Sequence, residues 1–242
     1  MLDQLKIGNI LFLDIETVPA YPVYDDVPER IRTLWEKKAS YLKKEETETP
    51  ESVYQRAGIY AEFGKIICIS TGMIGLLEEK RVLRLKSFFG PDEKVLLAEF
   101  ADLITRLCQK REIDLCAHNG REFDFPYIAR RMVVNGIRLP DLFDNAGKRP
   151  WEIRHIDTLE LWKFGDHKHY TSLDLLASLF NIESPKTETD GSQVSRIYWQ
   201  EDNLARIVEY CRRDVITTAQ IMLKFKGELL LDPCDILILD TL

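Results

Sequence analysis

The sequence predicts an α/β fold: a mixed five-stranded sheet flanked by helices, with a charged helical insertion after the first strand. Three observations carry this. Three strand-like segments precede the first core helix, and strands and helices then alternate. The second and third strands are joined by the short GLLEE connection, which demands an antiparallel hairpin. At 242 residues with 45% hydrophobic content, the chain can bury a substantial core, so one domain over 1–242 is expected.

The first strand is read over residues 7–18, short and rich in β-branched and aliphatic residues. Residues 24–58 differ in composition: fifteen of 35 are charged, eight acidic and seven basic. This stretch reads as a solvated helical insertion anchored by Leu34, Tyr41 and Leu42. Strands follow at 65–73 and 81–89. Pro91 and Asp92 open a helix to about Arg111, with Val95, Leu96, Phe100, Leu103, Ile104 and Leu107 at helical spacing.

A fourth strand at 113–118 leads into a helix at 125–135, whose apolar face is Ile128, Ala129, Met132 and Val133 and which Gly136 ends. A short fifth strand at 154–159, a helix near 172–180 and a long helix over about 202–226 complete the order. The tail, 227–242, is apolar enough to pack back on the body.

Lysine plus arginine number 33 against 40 acidic residues, a net charge of −7. That excludes a protein held on nucleic acid by bulk positive charge, though not local phosphate contacts. No apolar run reaches the ~20 residues of a membrane span, and the N-terminus lacks the pattern of a signal peptide. The five cysteines show no metal or redox spacing and read as reduced core thiols in a cytoplasmic protein.

The chemistry concentrates in three places. In NILFLDIETVP, Ile10, Phe12, Asp14 and Glu16 share one strand face, while Leu11, Leu13 and Ile15 share the other. Two carboxylates therefore sit together, roughly 7 Å apart at most, near the end of a buried strand. At an effective dielectric of ~20, like charges 4 Å apart repel by about 4 kcal/mol. A divalent ion with oxygen ligands would relieve this; a solvated strand end is the alternative. In CAHNGREFDFPYIARR, Asp124 stands beyond a core strand and before a helix, as a helix cap or as a site residue. In LARIVEYCRRDVITTAQIML, Tyr210 and Asp214 are stacked four apart at the edge of the core stripe.

Together, LFLDIET, HNGREFDFPYIARR and YCRRDV resemble the three motifs of the DEDDy branch of 3′–5′ exonucleases, in the ribonuclease H-like superfamily. The closest likeness is to the proofreading exonuclease domain of family-B DNA polymerases, here standing alone and covering about 8–226. The resemblance implies a ribonuclease H-like fold and two divalent ions, Mg²⁺ or Mn²⁺. By position, Asp14, Glu16 and Asp214 would hold one ion, Asp14 and Asp124 the second, and Tyr210 would orient water. Thr17, Val18, Asn119 and Phe123 would contact substrate.

The implied partner is the 3′ end of a single strand, DNA rather than RNA, with no membrane and with a possible protein partner in DNA repair or replication. An exoribonuclease or a non-catalytic binding module are the competing readings. Asp157 and Asp190 lie near the motifs without an assigned role. Lys163, Lys168, Arg130 and Arg131 are candidate phosphate contacts, with surface solubility as the alternative. The segment 187–199 reads as a loop, and His167 and His169 as loop residues rather than metal ligands.

Overall fold

A computed structural model describes residues 2–42, 45, 47–166, 170–182 and 191–240. At its centre runs β1 (Ile10–Pro19), flanked on both sides by other strands. β1 pairs antiparallel with β2 (Gly64–Leu77), and β2 pairs antiparallel with β3 (Lys80–Phe89). Both strands run further than their alternation suggests, leaving Glu78 and Glu79 as a two-residue turn. Their φ angles of 48° and 66° suit the right-handed twist of a tight hairpin. On the other edge of β1, β4 (Asp114–Ala117) and β5 (Ile156–Asp157) run parallel to it.

The sheet has six strands, not five, in the order β5-β4-β1-β2-β3-β6. The sixth, β6 (Ile236–Ile238), comes from the apolar tail and lies parallel on β3. A three-residue strand is too short for alternation to announce it. What fixes it is side-chain bonding. The Gln220 side chain both donates to the Leu231 carbonyl and accepts from the Leu231 amide, which turns the chain back.

The alternation of β1 sorts the core into two layers. Leu11, Leu13 and Ile15 pack with Leu97, Phe100 and Ile104 of α2 (Glu93–Lys110) and Ile128 of α3 (Asp124–Val134). Ile10 and Phe12 pack with Val215, Ala219 and Met222 of α7 (Leu204–Phe225). Asp92 caps α2 as expected, accepting from the Lys94 and Val95 amides. Val95 and Val133, assigned by spacing to the buried faces of α2 and α3, are instead 54% and 63% exposed. Each lies at the margin of its stripe, where a wheel cannot separate core from flank.

Within 24–58 the regular helix is α1 (Glu29–Ala39). Leu42 packs on the local cluster, but Leu34 and Tyr41 are exposed and anchor nothing. Trp35 and Ala39 are the buried positions. A tryptophan removes more apolar surface from water than a leucine, so the helix is rotated to bury Trp35. Its ring meets Tyr54 and Phe63 edge-on at 5.7 and 5.3 Å, and its Nε1–H donates to Pro50 O. Three short helices follow later: α4 (Thr158–Lys163), α5 (Leu173–Leu179) and α6 (Val194–Trp199). The last occupies sequence read as loop; Val194 and Ile197 bury themselves over Val18 of β1.

The tail also locks α7. Arg212 is 5% exposed, donates to Ser87 Oγ at 3.0 Å and pairs with Asp240, which also accepts from the Ser87 amide. Removing Asp240 leaves a buried, unpaired guanidinium, a change worth about 3 kcal/mol. Asp240→Ala is therefore expected to lower the unfolding free energy by about 3 kcal/mol in urea titration. A loss below about 0.5 kcal/mol, the level of an exposed pair, would contradict this anchoring.

Candidate active site

The site forms where β4 parts from β1. Their pairing ends at Phe12–Cys116, so from Asp14 onward that edge of β1 is open. Asp124, at the start of α3, fills it: its Oδ1 accepts the Ile15 amide at 3.2 Å, across 109 residues of sequence. Asp124 is thus not the cap of its own helix, one of the two readings its position allowed; Phe123 occupies the cap position. On the opposite edge, the β1–β2 register shifts between Glu16 and Thr17. This bulge follows the two acids and re-aims the end of the strand.

Asp14 and Glu16 face α7, and Asp214 belongs to the same electrostatic group. The Tyr210 hydroxyl donates to the Asp214 carboxylate. Burial, then the neighbouring charges of Glu16, Asp214 and Asp124, push the Asp14 carboxyl well above its usual range. Burial first, then Asp214, does the same to Glu16. Burial raises Asp124 to about 7 against the lowering effect of backbone amides, and raises Asp214 to about 6 against its Tyr210 bond. Burial, followed by Asp214, Glu16 and Asp14, drives the Tyr210 phenol upward, so it stays neutral.

These donors fit hard divalent cations. Asp14 Oδ2 is buried without a hydrogen-bond partner, and the surrounding groups that repel it are carboxylates. The trio of ligand-type atoms lying within 4.8 Å of one another here is nevertheless Asp14, Glu16 and Cys211, and Asp214 is not among them. Asp214 is drawn toward Tyr210. The Cys211 thiol donates to Asp14 O at 3.4 Å and shares a bond with Cys68, and burial pushes its titration well upward. A neutral thiol so engaged is a poor ligand for an oxygen-preferring ion. A second trio, Asp232, Cys234 and Asp235, lies in the tail, where Lys80 already neutralises Asp235 at 2.6 Å.

The loop before α3 is held from β5. Asp157 Oδ1 accepts from the Asn119 and Leu159 amides, and Oδ2 from the Arg121 amide. It caps α4 and splints the loop at once. Asn119 takes a left-handed φ of 61°. Gly120 has no alternative residue, because a Cβ there would lie 2.4 Å from Ala117 Cβ. His118, missed in the sequence, ties the same loop outward through Thr158 Oγ1 and Thr171 O, each at 2.9 Å.

Of the expected substrate contacts, Asn119 and Phe123 are half-buried at this loop. Thr17 bonds the Tyr127 hydroxyl, and Val18 is fully buried beneath α6. Among the basic candidates, Arg131 is consumed by Glu93 at 2.6 Å and Lys163 pairs with Glu160, while Arg130 is exposed. His167, Lys168, His169 and Asp190 lie outside the described residues.

The antiparallel β1–β2–β3 unit, the parallel β4 and β5, and the flanking helices form a mixed α/β architecture consistent with a ribonuclease H-like exonuclease. A family model of predicted 3′–5′ exonucleases related to the exonuclease domain of PolB matches residues 59–230. With 172 of 242 residues matched, the chain belongs to that family. Asp124, Tyr210 and Asp214 fall inside the match; Asp14 and Glu16 precede it and join through strand pairing. No curated protein matches the chain.

Because these carboxyls titrate above the usual value of about 4, the folded state holds protons that the unfolded chain has lost. Without metal, their contribution to stability is greatest below about pH 4 and falls as the pH rises through the values of about 6 and 7 for Asp214 and Asp124. In EDTA near pH 8, Asp14→Asn should melt higher than the wild type, with the difference shrinking toward about pH 5. Mg²⁺ should stabilise the wild type more at the higher pH. A mutant that melts lower near pH 8 would contradict the repulsion.

Proposed function

We propose that the protein is a metal-dependent 3′–5′ exonuclease that shortens single-stranded DNA and releases nucleoside 5′-monophosphates. The observation that carries this reading is the convergence of four carboxylates, from β1, α3 and α7, at the end of β1. Asp14, Glu16 and Asp214 would hold one divalent ion, Mg²⁺ or Mn²⁺, and Asp14 and Asp124 would hold a second. Ions bound there would neutralise the phosphodiester, lower the pKa of the attacking water and stabilise the leaving 3′-oxygen.

The remaining work belongs to the chain. Tyr210 donates to Asp214, so its oxygen is free to accept from a water and orient it. A neutral phenol positions water and does not deprotonate it. Asn119 and Phe123 line the strand, on a loop that Asp157 keeps rigid. Thr17 and Val18 would meet the terminal nucleotide through their backbone. A reducing cytoplasm suits five free cysteines. A role in repair or replication, beside a protein that delivers the strand, suits a net charge of −7.

The test is digestion of 5′-labelled DNA and RNA oligonucleotides with Mg²⁺, Mn²⁺ or EDTA. A metal-dependent ladder on DNA, abolished by Asp14→Ala, is expected. A ladder on RNA alone would replace the substrate assignment, and no cleavage by folded, metal-binding protein would refute the activity. Tyr210→Phe is expected to cut the rate about 10- to 100-fold by misplacing water, with metal affinity unchanged by calorimetry. Retention of full activity would remove Tyr210 from the mechanism.

A further inference from the structure

Outside the acid cluster, the molecule carries a second concavity of about 790 Å³, between α3 and the segment 139–155. Its walls are mostly aliphatic, with Phe125 and Phe143 among them. Helix α3 buries Phe125, Ile128 and Met132 against the sheet, yet also presents Pro126, Ala129 and Val133 to the cavity. Ala129 packs partly on the core, but the outer end of this stripe is open: Val133 and Val134 are 63% and 65% exposed. Exposed contiguous apolar surface of this kind marks a contact site more often than an accident.

The rim is basic in a protein that is acidic overall. Arg121, Arg130 and Lys148 line the cavity, against a single acid, Glu62. None of the three cations forms a salt bridge among the described residues. Arg121 donates to the His155 and Ile153 carbonyls and Lys148 to Asn145 Oδ1, so both keep their full charge. Some cations elsewhere on the surface are paired, as Arg106 with Asp102 and Arg154 with Glu112.

We infer that this groove docks an acidic, amphipathic peptide segment of another protein. Aliphatic side chains of the segment would fill the wall between Ala129 and Val133, and its carboxylates would meet the Arg121, Arg130 and Lys148 rim. Charge complementarity selects this occupant: a basic or neutral segment would leave the three cations unpaired. A nucleic acid strand fits less well. Bases are held on aromatic faces, while Phe125 and Phe143 are each only 2% exposed. The groove begins at Arg121, three residues before Asp124, so a partner seated here stands beside the acid cluster.

The experiment uses the full chain and a displayed library of random peptides of about a dozen residues, selected on wild type and counter-selected on Val133→Asp. Val133 is exposed and remote from the acids, so the variant should keep its melting temperature and its activity on free oligonucleotide. Selection should enrich peptides rich in Asp, Glu and Leu. Their binding by fluorescence anisotropy should weaken about tenfold or more in Val133→Asp and in Arg130→Glu, and weaken with salt. The proposal fails if no peptides are enriched over Val133→Asp, or if those enriched are not acidic. It also fails if a labelled oligo-dT, instead of peptides, loses affinity in Val133→Asp; the groove would then belong to the nucleic acid.

Discussion

Mutual repulsion among buried carboxylates is the constraint around which this protein is organised. Asp14, Glu16, Asp124 and Asp214 each lose hydration; Asp124 and Asp214 raise the proton affinity of both Asp14 and Glu16, and Asp214 raises that of Asp124. Nothing in their own chemistry would gather them. The gathering is imposed by the apolar half of β1, whose residues are locked between α2 and α3 on one side and α7 on the other. The same strand that builds the core therefore carries its two acids past the core's end, to the place where β4 leaves. Core stability is what holds the site together against its own charge.

Behind the acids lies a polar seam that extends this constraint. Cys211 touches both the Asp14 carbonyl and Cys68; Cys68 meets Ser70 at 3.7 Å, and Ser70 meets Ser87 at 3.0 Å. Ser87 in turn accepts from Arg212, which ends on Asp240. Arg212 stands between Tyr210 and Asp214 in the sequence of α7. The rotation of the helix that presents those two residues is thus pinned from its reverse side by the tail strand. Polar groups buried this deeply tolerate few alternative arrangements, so they specify one helix position.

Much of this was legible in the sequence, and the exceptions share a cause. Strand β1, its two faces and the positions of Asp14, Glu16, Asp124, Tyr210 and Asp214 follow from periodicity together with motif order. These depend on local spacing, which a chain displays openly. The sixth strand, the burial of Trp35 in place of Leu34, and the exposure of Val95 and Val133 depend on what lies opposite in space. Asp157 reads in the sequence as any acid at a strand end; its carboxylate gathers four amides. Cys211 carries no signal of its neighbourhood, since Cys68 and Asp14 approach it from β2 and β1.

Strand β1 also bears on how the protein comes into being. Asp124 reaches Ile15 across 109 residues, and Cys211 reaches Asp14 across 197. Contacts of such long range form late, after local hairpins and helices have closed shorter loops. In a half-folded or misfolded chain the four acids are scattered and hydrated, and no crevice exists to concentrate them. Whatever the site does to its substrate is thereby confined to molecules that have completed their fold. A damaged copy becomes inert before it becomes indiscriminate, a safeguard that resides in topology and not in any inhibitor.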